Sequence, residues 1–352
     1  MGNRNSNPLL SNITGFQQDL LDWYKKAQRV LPWRTSPTAY KTVVSEFMLQ
    51  QTQVSTVLPY FERWMTRFPT FKTLAESDEA AVLKHWEGLG YYSRARNLHK
   101  LAKEVAQLET LPQTAAEWLA YKGIGPYTAA AIASIAFRKP AAVVDGNVIR
   151  ILSRLTADST AFKDNSAAFK AFTPLADSLI NQEEPGDHNQ AMMELGATLC
   201  TKANSLCTVC PVFRYCTAGK LGNPEDYPNL QRKKITQHAI DRAWVIHDGK
   251  LLLHKKTGTA KRLADLFELP DCEDLLGKIS ESQKEAPGKL LLKKKRGISN
   301  QRIEESIFEI PATADLLKRI EKDPSYHWVS WEKLEAVTLS GPHRRWIGEV
   351  RG

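Results

Sequence analysis

Leu119-Ala120-Tyr121-Lys122-Gly123-Ile124-Gly125-Pro126-Tyr127-Thr128-Ala129 is the stretch on which the fold turns. The capping box Thr114-Ala115-Ala116-Glu117 opens a short helix that stops at the glycines, and Pro126 fits the first turn of the next helix. This is a helix–hairpin–helix pattern. Gly123 and Gly125, on the two sides of the turn, permit positive φ and let the backbone approach a phosphate oxygen. The N–H groups opening the second helix then point at that anion. Such a device holds a nucleic-acid backbone and reads no sequence. An ordinary αα-hairpin with a glycine cap fits the same letters, and Asp145 downstream favours the functional reading.

Working outward, Val143-Val144-Asp145-Gly146-Asn147-Val148 places Asp145 where an N-cap belongs. Upstream, Phe16, Leu20, Leu21 and Tyr24 recur at helical spacing. Val43, Val44, Phe47, Met48, Val54 and Val57 do the same before Pro59 restarts the chain. Glu46 lies inside that second helix, where a glutamate is ordinarily solvated. Gln50-Gln51-Thr52 behind it is a less usual polar patch, since amides beside a carboxylate suit a surface that reads base edges or fills a gap in a stack. Residues 15 to 220 thus read as almost continuous helix. Beyond a polar linker, Asp248-Gly249 between two apolar runs is a type I′ hairpin signal, and 306–310 and 326–329 read as further strands. The expected organisation is a mostly α domain over 1–227, a linker over 228–237 and an α+β domain over 238–352.

Cys200, Cys207, Cys210 and Cys216 follow a C-x6-C-x2-C-x5-C spacing, and Cys272 stands alone. A disulfide framework fits poorly in a chain otherwise without cysteine. Zinc sites usually show two C-x2-C knuckles, and only Cys207 and Cys210 are so paired. The loop 200–216 therefore favours a [4Fe–4S] cluster and leaves zinc open. The 352 residues include nine Trp and twelve Phe, too much apolar surface for a disordered chain. No run approaches the ~20 apolar residues of a membrane helix, and the first residues lack a secretion signal. A cytoplasmic protein with no membrane association is expected. Lys and Arg outnumber Asp and Glu by 48 to 39, a balance that suits a polyanionic partner.

Taken together, Ser45 to Val54 with its Leu49-Gln50-Gln51-Thr52, Gly88-Leu89-Gly90-Tyr91-Tyr92, Gly123 to Ala129, Val144-Asp145-Gly146-Asn147 and the four cysteines resemble the adenine DNA glycosylases of the MutY family. The resemblance runs in unbroken order over about residues 16 to 220. It implies a helix–hairpin–helix glycosylase fold and a [4Fe–4S] cluster on Cys200, Cys207, Cys210 and Cys216. It also implies a monomer, of bacterial type and nucleoid-associated, whose partner is double-stranded DNA with A:8-oxoguanine or A:G mispairs. Glu46 is then the expected general acid toward adenine N7, its pKa raised by burial. Asp145, kept ionised by the helix N-terminus, would stabilise the oxocarbenium-like sugar or add to it, and Tyr127 and Asn147 would orient the aspartate and the water. The same resemblance assigns Arg34, Leu49 and Glu194 to the adenine pocket and wedges Gln51 and Tyr91 into the duplex. Gln50, Thr52, Gly123 and Gly125 join the DNA contacts.

Superfamily members that also cut the backbone carry a Lys where this chain has Tyr127, so the resemblance implies a monofunctional enzyme that uses water. The competing readings are an endonuclease-III-like glycosylase/lyase acting on oxidised pyrimidines and a non-enzymatic DNA-binding iron–sulfur module. A Nudix-like C-terminal domain that recognises 8-oxoguanine is implied as well. Residues 263–270 resemble the stretch before a Nudix box, but no R-E-x-x-E-E follows, so pyrophosphate hydrolysis is not expected. The family's aromatic-Ser-His lesion-reading triplet finds its best match in 296–302, with Ile298 and Asn300 replacing the aromatic and the His. Ser299 and Asn300 are the expected readers. Lys293, Lys294, Lys295 and Arg296 are expected to add salt-sensitive attraction.

Overall fold

Phe16, Leu20, Leu21 and Tyr24 form the buried face of α1 (Ile13–Ala27), whose first turn is capped by the Asn12 side chain. The computed structural model describes residues 8–231, 235–255, 266–277, 286–298 and 300–352. They form two compact units, Met1–Glu76 with Asn97–Arg232, and Ser77–Arg96 with Lys233–Gly352. The sequence reading placed 77–96 in the helical domain. The structure instead groups them with the C-terminal residues, because Tyr92 Oη donates to the Leu339 carbonyl (2.9 Å) and Arg344 pairs with Glu87.

In the first unit, α2 (Ala39–Leu49) is capped by Thr38 and buried on nearly every side. Helix α2 ends at Gln50, and α3 (Val54–Arg67) starts after a short connection, with Pro59 inside it. The expected restart at Pro59 is therefore wrong. The break falls at Gln51, whose φ of 56° leaves the helical region. The capping box opens α4 (Ala115–Trp118) as expected, Glu117 Oε2 accepting the Thr114 N–H at 2.8 Å. Gly123 has φ +93°, but Gly125 has φ −95° and serves as N-cap of α5 (Pro126–Phe137). Only one of the two glycines needs the left-handed region. Ala129, Ala131 and Ala133 are fully buried, and these small side chains let α5 pack directly on α2. Asp145 caps α6 (Gly146–Thr156), which packs against α7 (Pro185–Thr198).

The second unit carries two sheets. In one, β1 (Thr236–Trp244) runs parallel to β6 (Gln301–Glu309), and β6 pairs antiparallel with β5 (Lys289–Ile298). The other joins β2 (Ile246–His247), β3 (Lys250–Lys255), β4 (Phe267–Glu268) and β7 (Tyr326–Ser330). Asp248 and Gly249 have φ of 48° and 69°, the conformation the type I′ signal called for. The first expected strand is split at Val245, so β1 and β2 enter different sheets. Between the sheets, Arg242 Nε meets Glu305 at 2.9 Å and Arg242 Nη1 meets Glu268 at 3.7 Å. His343, on α8 (Gly341–Arg351), accepts the Leu269 N–H on Nδ1 at 3.0 Å, so its neutral ring carries the proton on Nε2, toward the same carboxylates.

Candidate active site

A cavity of about 190 Å³ opens in the helical unit between α2, α5, α7 and the start of α6. Arg34, Glu46, Leu49, Tyr127, Asp145, Asn147 and Glu194 all line it. Seven residues singled out from the sequence therefore meet in one place. Glu46 is 6% exposed because the helix that carries it is buried all round. Burial pushes its carboxyl up to about 7; the Asp145 charge adds to this, and the Tyr127 hydroxyl and Arg34 oppose it.

Asp145 is held by its own helix. Its Oδ1 accepts the N–H groups of Asn147 (2.9 Å) and Val148 (2.8 Å), and Asn147 Nδ2 donates to Oδ2 at 3.2 Å. Burial outweighs these bonds and raises the Asp145 carboxyl above the ordinary carboxylate value. Asn147 is fixed in turn by Arg150, whose Nη2 reaches Asn147 Oδ1 (2.8 Å) and the Gly196 carbonyl (2.9 Å). Arg150 Nε donates to the Cys200 carbonyl at 2.8 Å, so one side chain spans the cavity floor and the cysteine loop.

Tyr127 donates its hydroxyl to Met193 Sδ at 3.0 Å. Burial and the nearby carboxylates hold the phenol protonated, well above its usual range. Glu194 is closed off from solvent and gripped by two arginines. Arg29 reaches it through Nε (2.6 Å) and Nη2 (3.0 Å), and Arg34 through Nη2 (2.8 Å). Burial alone would raise this carboxyl, but the bonds from Arg29 and Arg34 bring it below its ordinary value. Arg29, Trp33, Gln190 and Met193 also line the cavity and were not anticipated. Arg29 and Trp33 flank the Pro32 turn, while Gln190 stands about one helical turn before Glu194 and Met193 directly precedes it, a placement that holds the only signal for them.

The remaining assigned residues lie elsewhere. Gln50, Gln51 and Thr52 occupy the connection after α2, where Thr52 Oγ1 donates to the Gln50 carbonyl at 3.3 Å and Gln51 is exposed. Tyr91 belongs to the other unit, is 44% exposed with φ of 49°, and carries Arg94 over its ring at 5.4 Å. Asn300 sits at the β5–β6 turn, its carbonyl accepting the Thr236 N–H at 2.9 Å, and Ser299 lies outside the described residues. The basic run of β5, expected to add attraction for DNA, is ion-paired within its own unit, with Lys295 still largely exposed. Lys293 and Lys295 pair with Glu304, Lys294 with Glu349, and Arg296 with the buried Glu305.

The four clustered cysteines form no disulfide, are half-buried and lie close enough to interact electrostatically. Among the described residues, no three His, Cys, Asp or Glu side chains converge as ligands of a single ion. Burial pushes the Cys210 thiol up to about 12 and raises Cys207 and Cys216. Arg154, 1% exposed, turns Nη1 to Cys200 Sγ (3.3 Å), Ser205 Oγ (2.6 Å) and the Thr201 carbonyl (2.7 Å). The Gly219 N–H donates to Cys216 Sγ at 3.3 Å.

A helix–hairpin–helix turn in the same unit as a cavity lined by the carboxyl groups of Glu46, Asp145 and Glu194 marks a class, and residues 44–175 match it as an HhH-GPD superfamily base excision DNA repair protein. An adenine DNA glycosylase of Arabidopsis thaliana is 43% identical over 71% of this chain and 46% of its own length. Another, of a Buchnera aphidicola strain from Acyrthosiphon pisum, is 36% identical over 69% of this chain and 70% of its own. The chain belongs to the adenine DNA glycosylase family. It spans about half the length of most of the curated relatives it matches. A thermostable thymine-DNA glycosylase structure shares the fold, with a TM-score of 0.53 and 23% identity over 60% of this chain and 98% of that one.

Proposed function

We propose that this chain is a monofunctional DNA glycosylase of base excision repair, releasing adenine mispaired with 8-oxoguanine or guanine. The observation that carries the reading is Glu46, a carboxyl held near neutrality at about 7 in a cavity it shares with Asp145. Cleaving an N-glycosidic bond needs a proton on the leaving base and a negative partner for the sugar cation, and two carboxyl groups with separated roles supply both. Glu46 protonates N7 of adenine. Asp145, oriented by Asn147, faces the developing oxocarbenium ion or adds to it, and water completes the hydrolysis. The Glu194 carboxylate with Arg34, and the Leu49 side chain, hold the extruded base. Extrusion costs about a few kcal/mol, least where pairing is already weak. Tyr127 in place of an amine nucleophile leaves no route to a Schiff base, which favours base removal without strand cleavage.

Cys200, Cys207, Cys210 and Cys216 would hold a [4Fe–4S] cluster, whose four corners set their ligands farther apart than a single ion does. The donor set fits: four half-buried thiols in one short loop, and a buried Arg154 whose described contacts supply no carboxylate. When bound, the cluster closes the loop 200–216 covalently and supplies redox-sensitive charge. The α+β unit is read as the Nudix-like partner that senses 8-oxoguanine, through Ser299 and through Asn300 at the β5–β6 turn, in a monomer acting on nucleoid DNA. Gln50, Gln51, Thr52 and Tyr91 meet the duplex, and Gly123 and Gly125 meet its backbone.

The test is one duplex assay with an A:8-oxoguanine pair, with and without alkali. Strand breaks only after alkali are expected. Breaks without alkali would replace this reading with a glycosylase/lyase, and an intact duplex in both lanes with a binding module. Comparing A:8-oxoguanine with A:G for Ser299→Ala and Asn300→Ala tests the lesion reader. An unchanged ratio of rates in both variants would remove that turn from recognition.

A further inference from the structure

The Tyr127 hydroxyl has one proton and two acceptors. Met193 Sδ stands 3.0 Å from its oxygen, and the Glu46 carboxyl, lining the same cavity, is near enough to interact with the same hydroxyl. All three side chains line the same cavity, Tyr127 from the first turn of α5 and Met193 from α7, one position before Glu194. We propose that Met193 is a positioning residue for the general acid, its sulfur competing with Glu46 for the Tyr127 proton. The proposal rests on reading Glu46 as the acid.

The chemistry follows from how differently the two acceptors behave. A thioether is a weak acceptor that never changes charge, whereas a carboxyl group becomes a strong acceptor only once it has lost its proton. With Glu46 protonated, the phenol points at sulfur and leaves the acid undisturbed. As the proton moves from Glu46 to N7, the new carboxylate draws the phenol O–H away from Met193. The transfer makes one N–H bond and breaks one O–H bond of Glu46, and the phenol keeps its own proton throughout. A weak acceptor suits this place because little has to be given up when the hydroxyl turns. The other charged groups around Glu46 are Asp145 from the start of α6, Arg34 from the segment before α2, and Glu194 of α7 with its partner Arg29.

The experiment is the pH dependence of single-turnover adenine release by the whole protein on an A:8-oxoguanine duplex. In Met193→Leu the phenol has Glu46 as its remaining acceptor, which favours the carboxylate. The alkaline midpoint should fall by about half a pH unit, so the rate above the midpoint drops roughly threefold while the low-pH plateau holds. Met193→Gln, whose carbonyl oxygen is a stronger acceptor of the hydroxyl, should return the midpoint to the parental value or above it. In a Tyr127→Phe background the Leu change should move nothing. Met193→Ile replaces the Leu variant if that one does not fold. A midpoint unmoved in the Leu or Ile variant, or moved equally with and without the phenol, would overturn the role of Met193. Full activity of Glu46→Gln would instead overturn the reading beneath it, so the two failures are told apart.

Discussion

Glu46→Gln keeps the shape of the side chain and removes its proton. Adenine release should fall by at least ~100-fold, the usual scale of general acid catalysis, while duplex affinity stays within twofold, as read by single-turnover kinetics and a binding titration. The same change should alter stability in a pH-dependent way. The folded carboxyl titrates at about 7, above its ordinary 4.5, so the folded chain binds that proton more tightly than the unfolded one. Its contribution is complete below pH 4.5 and lost as the pH rises through 7, a difference of at most about 3 kcal/mol. Urea unfolding should therefore find the Gln variant more stable than the parent at pH 8 and equal to it at pH 4. An offset that does not depend on pH would contradict the buried carboxyl. Asp145→Asn should separate the two duties of that residue, since asparagine caps a helix as well as aspartate does. The unfolding midpoint should stay within about 0.5 kcal/mol, with base release falling ~100-fold or more. Glu46 took its role from the family resemblance, since a glutamate inside a helix is ordinarily solvated, whereas Asp145 was legible from its local context at a helix start. Arg29 and Arg150 were not. Arg29 acquires its role only when α7 lays Glu194 across it, 165 residues away in the chain.

At the scale of elements, the two hairpin glycines should respond differently. Gly123 has φ +93°, and a Cβ there would come within 2.7 Å of Asn97 Cβ, so Gly123→Ala should cost about 1–3 kcal/mol. Gly125 has an ordinary φ and open space around the same position, and its alanine variant should change stability by about 0.5 kcal/mol or less. Equal losses in thermal unfolding would show that the turn is not built as described. Sequence patterning found the hairpin because capping box, glycine and proline are local devices. It missed β5, whose Lys289-Leu290-Leu291-Leu292-Lys293-Lys294-Lys295-Arg296 shows neither alternation nor a helical stripe. That strand is held by charges opposite it, Glu304 and Glu305 on β6. Because Lys295 already serves Glu304, Lys295→Ala should change the salt dependence of duplex binding by much less than one counterion, whereas a phosphate contact would remove about one.

On the scale of the whole molecule, the chain passes between its two units after Glu76, after Arg96 and again after Arg232. The sequence offered a single boundary, because only the last passage coincides with a polar linker. The other two fall inside helical patterning, where composition carries no mark. A chain ending at residue 232 should therefore fold its cavity but leave 77–96 without the groups they pack on. Leu83, Trp86 and Tyr92, all buried in the full chain, would then face water. Such a fragment should bind a hydrophobic dye and aggregate at concentrations where the full chain is clear. Equal solubility of the two would show that 77–96 find their partners within the helical unit.

The same arrangement imposes an order of events during synthesis. Residues 77–96 leave the ribosome long before the strands they belong with. At the usual pace of translation, about 5–20 residues per second, their apolar side chains wait for some tens of seconds until residues 233–352 follow them out. During that interval the nascent chain presents an unfinished apolar patch in its middle, and the second unit closes only when the last of its segments has arrived.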